Sequence, residues 1–142
     1  ISYLTIEMQD SIPLEFRKAI GNRIYGCDDC QLFCPWNKFA QPTNETDFSP
    51  RHGLNDIELC ELFKWNKATW LERMAGSAIR RIGYEAWLRN IAIALGNVSA
   101  EDKANVNRAI AALRSREADD SELVREHVAW ALHQHGEQPH VN

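Results

Sequence analysis

Cys27, Cys30 and Cys34 lie within eight positions, and Pro35 follows the last of them. The run Cys27-Asp28-Asp29-Cys30-Gln31-Leu32-Phe33-Cys34-Pro35 has the spacing Cys-x2-Cys-x3-Cys-Pro, the latter part of the bacterial ferredoxin pattern; Ile24 stands where the first cysteine of that pattern would be. The spacing suits a cubane cluster because a tight loop aims successive thiolates at different irons, while the cysteine before proline turns toward a second cluster. Zinc is the rival. It also takes Cys-x2-Cys pairs, but it needs two further tetrahedral ligands, for which Cys34, His52 and Cys60 are the candidates. The Cys-Pro ending favours iron and sulfide. The plainest alternative, small buried thiols without a ligand, fits Cys60 best, because that residue sits in a helical apolar pattern.

The rest of the chain must hold this loop. Its 142 residues, 44% hydrophobic, suffice for one core with a smaller appended segment. No apolar run reaches the roughly 20 residues of a membrane span and no signal peptide is evident, so the expectation is a soluble, cytoplasmic protein with reduced thiols. Ile rather than Met at position 1, opening the β-prone pattern of residues 1–6, reads as an internal segment of a longer chain. The net charge of −4 argues against a uniformly basic nucleic-acid binder. The charge is uneven, however: residues 62–98 hold six Lys/Arg against two Glu, which allows a local basic face.

Pro13 and Gly21 bracket a short helix near 13–20. Residues 26–53, rich in Cys, Pro, Asn, Asp and Gly, have no sustained period, so their order must come from a bound cluster or a packed partner domain. Helices then follow. Asn55 and Glu58 resemble a capping box for a helix at 56–63, and a further helix between 65 and 82 is broken near Gly76. Tyr84, Trp87, Leu88, Ile91, Ala92 and Leu95 form one apolar stripe on a helix that Gly96 ends. Ser99 with Asp102 opens the next helix, with Val106, Ala109, Ile110 and Leu113 inward. Ser121 opens the last, with Val124, Val128, Ala131 and Leu132 inward and Gly136 closing it. Ala92-Ile93-Ala94-Leu95 reappears as Ala129-Trp130-Ala131-Leu132, a 37-residue spacing that suits HEAT-type repeats. The fold class expected is mainly α: a ferredoxin-like cysteine region over 1–53, then a HEAT-like helical domain over 54–142.

Longer motifs go beyond the cysteine spacing. Ile1-Ser2-Tyr3-Leu4-Thr5-Ile6-Glu7, Gly21-Asn22-Arg23-Ile24-Tyr25-Gly26-Cys27-Asp28-Asp29-Cys30-Gln31, Cys34-Pro35-Trp36-Asn37 and Tyr84-Glu85-Ala86-Trp87-Leu88-Arg89-Asn90 together resemble the epoxyqueuosine reductases. The resemblance implies cobalamin and two [4Fe-4S] clusters that serve to reduce epoxyqueuosine to queuosine in tRNA, fed by an electron donor. It implies that Cys27 and Cys30 ligate one cluster and Cys34 the other, each completed by cysteines of an upstream domain. No catalytic residue of the family falls in this stretch, so the chain alone is expected to be inactive and to hold no stoichiometric cluster. Ser2, Thr5 and Asp28 flank the ligands and are the expected cobalamin neighbours, although strand or turn hydrogen bonding explains them equally well.

Under the same resemblance Lys64, Lys67, Arg73, Arg80, Arg81 and Arg89 are candidates for tRNA phosphate contact, and Trp36 for stacking near the reactive loop. A solvated helix face is the ordinary explanation of such charges. His133, His135 and His140 look like a metal tract, but alternate residues of one helix point apart, and solvent exposure is expected. Two other classes remain in play: a polyferredoxin-like electron carrier and a zinc-stabilised helical interaction module.

Overall fold

The fold is that of a computed structural model, which describes residues 1–139, the side chain of Phe48 excepted; His140 lies outside them. Seven α-helices are found among the described residues, with no strand: α1 (Leu14–Ile20), α2 (Asp29–Leu32), α3 (Leu59–Lys64), α4 (Lys67–Arg73), α5 (Tyr84–Gly96), α6 (Lys103–Arg114) and α7 (Glu122–Gln134). Short 3-10 turns occupy Pro35–Phe39, Thr46–Phe48 and Ala78–Ile82. No helix among the described residues is long and apolar enough to cross a membrane.

Local chemistry explains most boundaries. Pro13 precedes α1 and Gly21 leaves it at φ 65°, as the bracket requires. The segment between 65 and 82 divides at Gly76 (φ 73°): Asn66 caps α4 by accepting from the Thr69 N–H at 2.9 Å, and Ser77 caps the following 3-10 turn. Asp102 caps α6 through the Asn105 N–H. The capping box expected at Asn55 and Glu58 does not form, because Glu58 pairs with Arg108 of α6 and α3 begins only at Leu59.

The core gathers around α5. Phe63 of α3, Trp70 and Met74 of the α4 region, Leu113 of α6, and Val124, Val128 and Leu132 of α7 are all buried with Trp87, Leu88, Ile91 and Leu95. A second, smaller cluster joins Ile12 and Ile20 to Ile93 on the other side of α5, with Trp130 packed against both clusters. Every residue of α5 from Ala86 to Gly96 is buried, so the helix is wrapped on all sides rather than amphipathic.

The β-prone opening is not a strand. Residues 3–7 form a single π-helical turn, held by the Thr5 hydroxyl donating to the Ile1 carbonyl and by contacts from α5. Arg89, fully buried, donates to the carbonyls of Leu4, Met8 and Asp10 at 2.7–3.0 Å and to the Asn90 side chain. Asn90 in turn donates to the carbonyls of Thr5 and Ile24 at 2.8 and 2.9 Å, and Asn97 to those of Arg17 and Gly21. Packing therefore changes character near Gly26. Residues 1–26 are bonded into the helical core, whereas nearly all of residues 28–53 are exposed.

His127 ties α7 to the same segment. The Ile12 N–H donates to Nε2 at 3.3 Å, and Nδ1 lies 2.8 Å from the Leu123 carbonyl, which fixes a neutral ring with its proton on Nδ1. Burial pushes its pKa from 6.5 down to about 4; the Arg17 and Arg89 charges act the same way, against the Leu123 carbonyl and Glu126. Burial raises the adjacent Glu126 carboxyl, but the Arg17 hydrogen bond, with His127 and Ser11, more than offsets this and leaves it below its usual range. Between pH 4 and 6.5 the unfolded chain therefore binds more protons at residue 127 than the folded one. Stability should fall as pH drops through that window, by on the order of 3 kcal/mol for His127. Urea unfolding at pH 7 and pH 4 measures the loss, and His127→Gln should flatten it; an unchanged pH dependence in that variant would exclude His127 as the source.

Candidate iron–sulfur ligand loop

The loop is anchored at one end. The Thr5 hydroxyl accepts from the Gly26 N–H at 2.9 Å, so the π-helical turn, itself pinned by Arg89 and Asn90, fixes the residue before Cys27. Gly26 has φ 65°, and a Cβ there would approach Ile6 and Ser2. Asp28 adopts a left-handed conformation (φ 53°), turning the chain between Cys27 and α2. Cys30 then lies on α2, one turn long, and the Cys34 N–H closes that turn on the Gln31 carbonyl at 3.2 Å. Pro35 opens the next 3-10 turn. Arg23 pairs with Asp29 at 3.2 Å across the base of the loop.

All three thiols reach solvent: Cys30 is exposed and Cys27 and Cys34 are half-buried. Among the described residues no three His, Cys, Asp or Glu side chains converge to hold one metal ion. Three solvent-reaching thiols at this spacing suit iron–sulfur ligation. They do not fit a self-contained zinc tetrahedron built from Cys27 and Cys30 with Cys34, His52 or Cys60. Cys60 is half-buried against the core at the start of α3, and burial pushes its thiol pKa up, which favours the neutral form.

The sequence-predicted neighbours separate into two groups. Ser2 and Asp28 are exposed beside the loop, whereas Thr5 is buried, with its hydroxyl committed to the Ile1 carbonyl and the Gly26 N–H. Thr5 thus positions the loop and offers nothing to a ligand. Lys64, Lys67, Arg80 and Arg81 are exposed, Lys64 paired with Glu61 and Arg81 with Glu7. Arg73 stacks on Trp65. Arg89 does not share that face: it is inside the molecule, its pKa lowered by burial to about 10, still cationic at neutral pH and surrounded by carbonyl oxygens. His133 is exposed, but His135 is partly covered and bonded through Nε2 to the Leu95 carbonyl.

The loop also carries a ridge of apolar side chains. Phe33 is 85% exposed and Trp36 72%, with Leu32 and Phe39 beside them in sequence and Trp36 stacked on Phe39. Such a ridge is unusual on a surface that stays in water.

The thiolate spacing on a loop held to a helical platform is that of an iron–sulfur ligand segment, and residues 1–37 match a family model described as a 4Fe-4S double cluster binding domain. Over nearly its whole length the chain is homologous to part of the epoxyqueuosine reductases. It is 56% identical over 137 residues to the epoxyqueuosine reductase of Pseudomonas aeruginosa, covering 96% of this chain and 37% of that protein. The Xanthomonas campestris protein of the same name is 58% identical, with the same coverages, and that of Escherichia coli is 54% identical over 94% of this chain and 34% of its own length. The solved structure of epoxyqueuosine reductase from Bacillus subtilis superposes with a TM-score of 0.78 at 28% identity, covering 94% of this chain and 34% of that one. The chain thus spans little more than a third of the relatives it matches.

Proposed function

We propose that this chain is the C-terminal part of an epoxyqueuosine reductase that converts epoxyqueuosine to queuosine in tRNA. The observation carrying this reading is a double-cluster loop whose three thiolates do not converge, within a chain 54–58% identical to reductases nearly three times its length. Cys27 and Cys30 would hold one [4Fe-4S] cluster and Cys34 the other, each with cysteines supplied by the upstream domain. When bound, the clusters would pass electrons from a donor to cobalamin. Ser2 and Asp28, exposed beside Cys27, are the groups here that can face that cofactor. Thr5, Arg89 and Asn90 hold the loop to α5. The apolar ridge from Leu32 to Phe39 would be covered by the upstream domain. The helix pairs around α5 and α7 are read as HEAT-like, and Lys64, Lys67, Arg80, Arg81 and Trp36 as the side chains offered to tRNA.

The assignment of ligands predicts a split. In the full-length enzyme, Cys27→Ser and Cys30→Ser should each remove the same cluster signal in reduced-state EPR, and Cys34→Ser the other, with activity lost in all three. Loss of the same signal from Cys34→Ser and Cys30→Ser would overturn the division.

A further inference from the structure

The Thr5 hydroxyl makes one hydrogen bond that the π-helical turn does not need. Thr5 is only 1% exposed, and its hydroxyl donates to the Ile1 carbonyl at 3.0 Å. That carbonyl already accepts from the Thr5 backbone N–H at 3.0 Å, so the turn closes without the side chain. What only the hydroxyl supplies is an acceptor for the buried Gly26 N–H, at 2.9 Å. The Thr5 backbone is itself held from the core. Asn90, fully buried, donates to the carbonyls of both Thr5 and Ile24 and so clamps together the two segments that the hydroxyl joins. An acceptor fixed from behind by a satisfied buried network is a rigid point from which to start a loop.

Gly26 is also the last such point before the thiols. The backbone N–H groups of Cys27, Asp28, Asp29 and Cys30 have no acceptor among the described residues. Arg23 and Asp29 pair across the base of the loop, but their side chains are 38% and 43% exposed, and a pair so open to water restrains little. Cys34 is held differently. Its N–H donates to the Gln31 carbonyl at 3.2 Å, and the Asn37 side chain donates to that same carbonyl from the turn that Pro35 opens, an arrangement that does not run through Gly26. We propose that Thr5 is a positioning residue for the Cys27 thiolate: through the Gly26 N–H it fixes the backbone from which that sulfur reaches its cluster, and it leaves the ligand at Cys34 untouched. A group that stands behind a metal ligand orients it and tunes the metal, and its loss weakens the hold on the metal by about tenfold or more. The inference rests on the reading of Cys27 and Cys30 as ligands of one cluster and Cys34 of the other.

The test uses the full-length enzyme with its clusters loaded. It compares Thr5→Val, which keeps the side-chain shape but removes the acceptor, with Thr5→Ser, which keeps the acceptor. Valine should speed loss of the Cys27/Cys30 cluster to an iron chelator by about tenfold and shift its reduced-state EPR signal, while the cluster that Cys34 serves keeps its g-values and its rate of loss. Serine should return both readouts toward the parent. Two signals that valine leaves unchanged, equal changes in both clusters (loss of both included), or a serine variant no better than valine would overturn the positioning role. Loss of one and the same signal from Cys30→Ser and Cys34→Ser in the otherwise unaltered enzyme would overturn the division of ligands, and the inference with it.

Discussion

Arg89→Met should destabilise the protein by about 3 kcal/mol or more, and Arg89→Lys should fail to restore it. The guanidinium spans three backbone carbonyls, of Leu4, Met8 and Asp10, and the Asn90 side chain, all inside the molecule. Methionine fills much of the volume but orphans those acceptors, each worth on the order of 1–3 kcal/mol when buried and unpaired. Some of that cost is returned because a buried charge disappears with its desolvation, so the sum falls well below the total of the separate contacts. Lysine keeps the charge but presents a single ammonium, which cannot reach carbonyls arranged around a planar fork. The loss should be local as well as global. Hydrogen exchange should accelerate first over residues 3–10 and 24–26, which Arg89, Asn90 and Thr5 hold, while α6 and the middle of α7 stay protected. A lysine variant as stable as the parent, or exchange rising evenly over the whole chain, would show that Arg89 does not anchor this segment. Because Gly26 adjoins Cys27, the same variants should also loosen the cluster ligands in a longer protein.

Gly96→Val should cost about 2–3 kcal/mol, and Gly96→Ala a smaller amount of the same sign. Gly96 closes α5 with ordinary helical dihedrals, so no left-handed backbone demands a glycine there. What demands it is α7: a Cβ would lie 2.8 Å from the Ala131 Cα, 2.9 Å from its Cβ and 2.8 Å from the Trp130 ring. The ring could tilt, but the α7 backbone cannot move without disturbing Val128 and Leu132, which are fully buried. Alanine gains at most about 1 kcal/mol of helix propensity over glycine, less at a helix end, so the clash prevails. Thermal unfolding should show a fall of about 3–5 °C per kcal/mol. A Gly96→Ala protein more stable than the parent would mean that the two helices separate more easily than their packing implies.

The same two sites show what could be read in the sequence. The stripe from Tyr84 to Leu95 located α5, and Pro13, Gly21 and Gly76 marked ends and corners, because those signals are local. The Cys-x2-Cys-x3-Cys-Pro run likewise carries its chemistry in its own spacing. Arg89 was misplaced on a surface because a single apolar stripe implies a polar opposite face. In fact the opposite face packs on residues 1–26, and Ile93 buried there beside Ile12 and Ile20 was the available sign that α5 is enclosed. The β-prone opening failed for the same reason: its π-helical turn depends on donors some 80 residues away, at Arg89 and Asn90. Asn55 and Glu58 matched a capping pattern, yet Glu58 found Arg108 instead, a contact that no local rule contains.

We propose that Cys27, Cys30 and Cys34 are shares of two clusters completed by cysteines of an upstream domain. Anaerobic reconstitution of the isolated chain with iron and sulfide, followed by iron analysis and absorption spectroscopy after desalting, tests it most directly. Iron well below one cluster per chain, with no lasting visible charge-transfer band, is the predicted result. Four irons per chain with a stable band would contradict it.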